Sequence, residues 1–100
     1  MKPVDLAVTV NQPAQQAQDR ILDRVGPGLR ALGFTERAQP GMAEYRPRFF
    51  GLVIVWAVRR LRGEHLTLTF EQRGRATEVR AAGQLRNRDH AEFTEMLTGS

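Results

Sequence analysis

Leu66-Thr67-Leu68-Thr69-Phe70, followed after a short polar stretch by Val79-Arg80-Ala81, is the part of the chain whose reading decides the fold. Apolar residues alternate with threonine at a period of two, the pattern of a strand with one buried and one solvated face. The next strand carries Val79, Ala81 and Leu85 on one parity. A turn centred on Gly74-Arg75 sets Phe70 opposite Val79 and Leu68 opposite Ala81, whereas an odd-length loop sets Phe70 against Glu78. A one-residue slip sends every side chain to the other face, so the even loop keeps the apolar set together.

The same test applied upstream gives a second hairpin. A three-residue loop, Leu61-Arg62-Gly63 with a left-handed Gly63, pairs Arg60 with Glu64, Val58 with Leu66, Trp56 with Leu68 and Ile54 with Phe70. One face of the sheet then carries Ile54, Trp56, Val58, Leu66, Leu68, Phe70, Val79, Ala81 and Leu85. The opposite face carries Val53, Val55, Ala57, Thr67, Thr69, Glu71, Arg73, Glu78 and Arg80. Residues 42–48, with Tyr45, read as a preceding strand in which Pro47 marks a sheet edge or bulge.

Towards the N-terminus, Val4, Leu6, Val8 and Val10 alternate with Asp5, Ala7 and Thr9 as another half-buried strand. Asn11 stands at a cap position, and Pro13 falls in a first helical turn. Ala14, Ala17, Ile21, Val25, Leu29 and Leu32 then recur at helical spacing, opposite Gln15, Gln16, Asp19, Arg20, Asp23 and Arg24. Gly26-Pro27-Gly28 interrupts this pattern and predicts two helices or one sharply bent one, before a stop at Gly33 and packing of Phe34. At the other terminus, Asn87 or Asp89 can cap a short last helix, with Glu92 as capping-box partner of Asp89. His90, Phe93, Met96 and Leu97 share its side, and Gly99 ends it.

The expected fold class is therefore α+β, in the order β-α-α-β-β-β-β-α. A curved antiparallel meander with an N-terminal strand carries a broken N-terminal helix pair and a short C-terminal helix on one face. This order, from the strand at Val4 to Val10 through the break at Gly26-Pro27-Gly28 to the helix at Asp89 to Leu97, resembles a reduced helix-grip domain of the START and Bet v 1-like proteins. That resemblance implies a meander curling round the last helix to enclose an apolar ligand. The arginine and alanine usage is also similar to that of small domains in high-GC actinobacterial proteomes.

Composition bounds what such a domain can do. One hundred residues, 41% hydrophobic and 26% charged, read as a single domain, 1–100, with a real core but little interior for a deep active site. No cysteine is present, which removes thiolate, disulfide and zinc–thiolate chemistry. His65 and His90 lie far apart in sequence, neither at a metal-ligand spacing. Glu71 and Glu78 face each other across the hairpin, where diagonal pairs of Glu71 with Arg80 and Glu78 with Arg73 account for them. No phosphate-loop, nucleophile-elbow or metalloprotease string occurs, so the sequence nominates no catalytic residue, no metal ligand and no cofactor, and the expectation is a protein that is not an enzyme.

Charge is more informative by position than in total. Of 15 basic residues only Lys2 is lysine, and the net charge is +4. Residues 46–80 hold eight basic and three acidic groups, while the flanking segments are nearly balanced. Arg59, Arg60, Arg62, Arg73 and Arg75 are the candidate anion-binding residues, which would contact phosphates with salt-sensitive affinity. Their division between turns at opposite ends of a sheet argues against a nucleic-acid stripe and for arginines that solvate sheet edges. The apolar run at residues 49–58 is about half a bilayer span, so it predicts no transmembrane helix. Its flanking arginines, Arg46 and Arg48 before it and Arg59, Arg60 and Arg62 after it, keep an interfacial role open. The N-terminus has no signal-peptide pattern, and a cytoplasmic location is expected.

Three functions remain for the sequence. The first is a non-catalytic binding or protein-interaction domain that self-associates, as a homodimer, through Val53, Val55, Ala57, Thr67 and Thr69. The second is a carrier of a small apolar ligand walled by Trp56, Val58, Phe70 and Leu97. The third is an anion or nucleic-acid binder through the arginines named above.

Overall fold

A computed structural model of the chain describes residues 1–48, 57–59 and 61–99. The elements are β1 (Lys2–Val10), α1 (Ala14–Ala31), β2 (Phe34–Gln39), β3 (Met42–Pro47), β4 (His65–Arg73), β5 (Ala76–Leu85) and α2 (Asn87–Thr98). The strands form one antiparallel sheet in the order β1-β5-β4-β3-β2. Four consecutive strands thus make a meander, and β1 adds to its last member.

The deciding stretch behaves as its alternation requires. Phe70 pairs with Val79, Leu68 with Ala81 and Arg73 with Ala76, leaving Gly74 and Arg75 as the turn. Gly74 adopts φ 66°, the conformation such a turn needs and glycine supplies without a Cβ penalty. Leu66, Leu68, Val79 and Leu85 are fully buried on one face, where they meet Val4, Ala43 and Tyr45 of neighbouring strands. Ile21, Val25 and Leu29 of α1 and Phe93 and Leu97 of α2 close over that face. The other face, with Asp5, Thr69, Glu71 and Arg80, remains exposed.

Three expectations are corrected. First, α1 is one helix with Pro27 inside it, not a broken pair. Pro27 and Asp23, whose carbonyl loses a donor, both lie on the exposed side, where water replaces the missing bond. The flanking glycines serve close packing instead: a Cβ on Gly28 would lie 2.1 Å from Met96 Sδ, and one on Gly26 would lie 3.1 Å from Glu36 Oε1. Second, β4 pairs on its far side with β3, Leu66 opposite Tyr45 and Leu68 opposite Ala43. Residues 57–59 and 61 are helical, so Val58 does not pair with Leu66. Trp56, Ile54 and Arg60, the other expected partners, lie outside the described residues. The fifth strand is instead β2, a charged edge strand joined to β3 by Pro40-Gly41, with Gly41 at φ 86°. Pro47 accordingly ends an interior strand rather than marking an edge.

Third, the helix starts are not capped by the expected side chains. Pro13 occupies the N-cap of α1, and Gln72 Oε1 at the end of β4 accepts from the Ala14 N–H at 3.2 Å. Arg86 occupies the N-cap of α2, which places Asp89 inside the first turn. Both helix stops stand: Gly33 follows α1 at φ 93° and Gly99 follows α2 at φ 73°. Gln18, buried on α1, donates to the Gln39 carbonyl and accepts from the Gly41 N–H, both at 2.9 Å, which fixes the β2–β3 turn against the helix.

Candidate functional site

Neighbouring antiparallel strands can be joined by two to five residues, yet β3 and β4 are joined by residues 48–64. This connection leaves the sheet at the end where Lys2 pairs with Leu85, His65 with Gln84 and Phe34 with Pro47. The same end receives the C-terminus of α1 and the N-terminus of α2. The unpaired carbonyls of the one and the acid-favouring first turn of the other therefore meet there.

Arg59 joins them. Its Nη1 donates to the carbonyls of Leu32 and Gly33 at 3.3 and 3.4 Å, and its Nε and Nη2 donate to the Glu64 carboxylate at 3.2 and 3.3 Å. Nη2 also lies 3.7 Å from Asp89 Oδ2, and the guanidinium stands 4.8 Å over the Phe34 ring. Arg86 completes a quartet, with Nε 3.3 Å from Asp89 Oδ2 and 3.5 Å from Glu64 Oε1. The side chains of Glu64, Asp89 and Arg59 are 0%, 1% and 10% exposed, so two buried carboxylates are neutralised by two guanidinium groups. Charges this buried persist only when paired. Asp89 Oδ1 is buried with no hydrogen-bond partner among the described residues.

With Arg59 turned inward, the helical turn carrying it is inverted in polarity. Val58 and Leu61, three apart and therefore on one side, face outward, and Leu61 is 87% exposed. Among the described residues the exposed large hydrophobics are Met1, Val58 and Leu61, and all three lie at this end of the sheet. Arg62 and Met1 line a groove of about 420 Å³ with Gln84, Arg86 and Asn87. Beside it, Arg46, Pro47, Gly63, Glu64 and His65 line a smaller cleft of about 210 Å³. His65 is exposed, and its Nδ1–H donates to the Gly63 carbonyl at 2.7 Å.

The candidate residues are dispersed. Arg59 is committed to the quartet and presents no free face to an anion, whereas Arg62 is exposed at the same end. Arg73 and Arg75 lie at the opposite end, Arg73 paired with Glu71 at 3.3 Å and Glu78 at 3.4 Å. The expected Glu78–Arg73 pair is thus present, while Glu71 pairs with Arg73 rather than Arg80. Of the pocket residues, Phe70 and Leu97 are core side chains and Val58 points outward. Leu97 lines a groove of about 370 Å³ with Val8, Val10, Ile21 and Arg20, to which neither Phe70 nor Val58 contributes. Trp56 lies outside the described residues, as do Arg60, Val53 and Val55. Of the interface residues, Thr67 and Thr69 are on the outer face of β4, but Ala57 belongs to the helical turn and adds nothing to that face.

A second buried polar group lies beside the connection. Tyr45 Oη donates to the Glu36 carboxylate, which Arg30 approaches at 3.5 Å. Burial first, then the hydrogen bond to Glu36 and its negative charge, push the phenol far above its ordinary range. Among the described residues, no helix is long and apolar enough to cross a membrane, and no three metal-ligating side chains are grouped to hold an ion. No protein-family model matches the chain, and no curated protein or solved structure is significantly similar to it.

Glu64, Asp89 and Arg86 are the quartet members that sequence reasoning missed. Glu64 was legible as the one acid between Arg46 and Glu71, but hairpin geometry assigned it to Arg60. Asp89 looked like a cap because its spacing to Glu92 satisfies that pattern equally well.

Proposed function

We propose that the protein is a non-catalytic binding module whose contact surface is the connection end of the sheet. The observation that carries this reading is the inverted helical turn, with Arg59 buried and Leu61 87% exposed. Placing a cation inside and a leucine outside leaves apolar area in water that a soluble surface has no use for, unless a partner covers it. The ion-pair quartet supports the reading, because it holds that turn rigidly against two helix ends. The outer face of the sheet is a weaker contact surface, since its described residues, such as Thr67, Thr69, Glu71, Arg80 and Ala82, are small or polar and include no exposed large hydrophobic side chain.

The test places a photo-crosslinking amino acid at position 61, or at position 75 on the opposite turn, in cells expressing the protein. Adducts formed from position 61 and not from position 75 are expected. Adducts from neither position, or equally from both, would overturn the assignment of this end as the contact surface.

A further inference from the structure

We infer that the partner at this surface is an anionic lipid bilayer, met by Leu61, Val58 and Met1 as apolar inserts and by Arg62, Arg46 and Lys2 as phosphate contacts; this rests on the contact surface proposed above. Two observations converge on a membrane. The surface combines exposed aliphatic side chains with cations, and a bilayer interface offers an acyl region and a layer of phosphates to match both. Among the described residues of the connection the exposed charged side chains are Arg48 and Arg62, Arg46 just before it is exposed and paired with Glu44, and Glu64 is buried and neutralised. The exposed charge of the described connection residues is therefore cationic.

A nucleic acid supplies phosphates but no apolar layer, so it leaves Leu61 without a role. A membrane gives each exposed residue a use. Attraction of a basic residue to an anionic leaflet is worth about fivefold in affinity, and burial of a leucine about tenfold or more.

The experiment is vesicle co-sedimentation of the whole chain with phosphatidylcholine alone and with phosphatidylcholine containing one part in four of phosphatidylglycerol. The wild type, Leu61→Glu, Arg62→Glu and Arg75→Glu are compared, with circular dichroism confirming that each is folded. Binding to the anionic vesicles only is expected, weakened about fivefold or more by Arg62→Glu and tenfold or more by Leu61→Glu, and unchanged by Arg75→Glu within twofold. No sedimentation with anionic vesicles overturns the inference. So does an equal loss in Arg75→Glu, which would mean that net charge alone is responsible. Binding to mixed-sequence RNA in preference to vesicles, indifferent to Leu61→Glu, overturns it in favour of a nucleic acid. Protein adducts from position 61 together with no vesicle binding would refute the lipid partner and leave the contact surface standing.

Discussion

The β4–β5 turn and the β3–β4 connection both join adjacent antiparallel strands of one sheet, and they handle charge in opposite ways. At the turn, Arg73, Glu71, Glu78 and Arg80 sit in water on the outer face, and every pair there is screened. At the connection, Arg59, Glu64 and Asp89 are removed from water and depend on one another. The same residue types are therefore nearly neutral for stability at one end and decisive at the other. Burial, not pairing, makes the difference.

Breaking the buried side of this comparison has the largest expected effect. Arg59→Met leaves Glu64 and Asp89 to share the half-exposed Arg86 and is expected to cost about 3–5 kcal/mol in urea denaturation. Adding Glu64→Leu recovers part of that loss, because two buried carboxylates sharing one guanidinium cost more than an apolar replacement of one of them. Gly83→Ala comes next, at about 2–4 kcal/mol. Gly83 has φ 151°, and a Cβ there would lie 2.2 Å from the His65 carbonyl oxygen, so β4 and β5 must part at the connection end.

A smaller effect appears at high pH. Tyr45, the last β3 residue paired with β4, holds its proton in the folded state well above the unfolded value of about 10. The unfolded chain therefore releases a proton first, and stability present below pH 10 declines as pH rises above it. In Tyr45→Phe that alkaline decline is reduced. Because the chain has one tyrosine, phenolate absorbance of the wild type should appear together with unfolding and not before it. The smallest effect belongs to the exposed turn. A hydrogen bond from Arg80, then the charge of Arg73, holds the Glu78 carboxyl below the usual range. Any contribution is present above that range and lost as pH falls through it, and Glu78→Gln at neutral pH should leave the urea midpoint unchanged.

The two regions also differ in how far the sequence discloses them. The β4–β5 register follows from alternation and turn length, which are local properties, and α1 and α2 follow from their apolar spacing. The connection is different, because Val58 to Glu64 reads as a hairpin when only parity is considered. What fixes it is a set of partners distant in sequence, the carbonyls at Leu32 and Gly33 and the carboxylate of Asp89. β2 was hidden for a related reason: as an edge strand, with Thr35, Arg37 and Ala38 in water, it has little apolar alternation to display. Gly26 and Gly28 looked like helix breakers until Met96 and Glu36 showed what the missing side chains make room for.

The Glu64 N–H donates to the Arg59 carbonyl at 3.3 Å, while the two side chains bridge the same interval, so residues 59–64 form a short ring fastened to the body at both ends. A ring closed in this way separates heredity of the scaffold from heredity of the surface. Substitutions at Leu61 and Arg62 change side chains that face outward, without removing the hydrogen bonds of Arg59 and Glu64 that hold the ring in place. Selection, or an engineer, can therefore exchange this pair of outward-facing side chains while the buried quartet stays as it is.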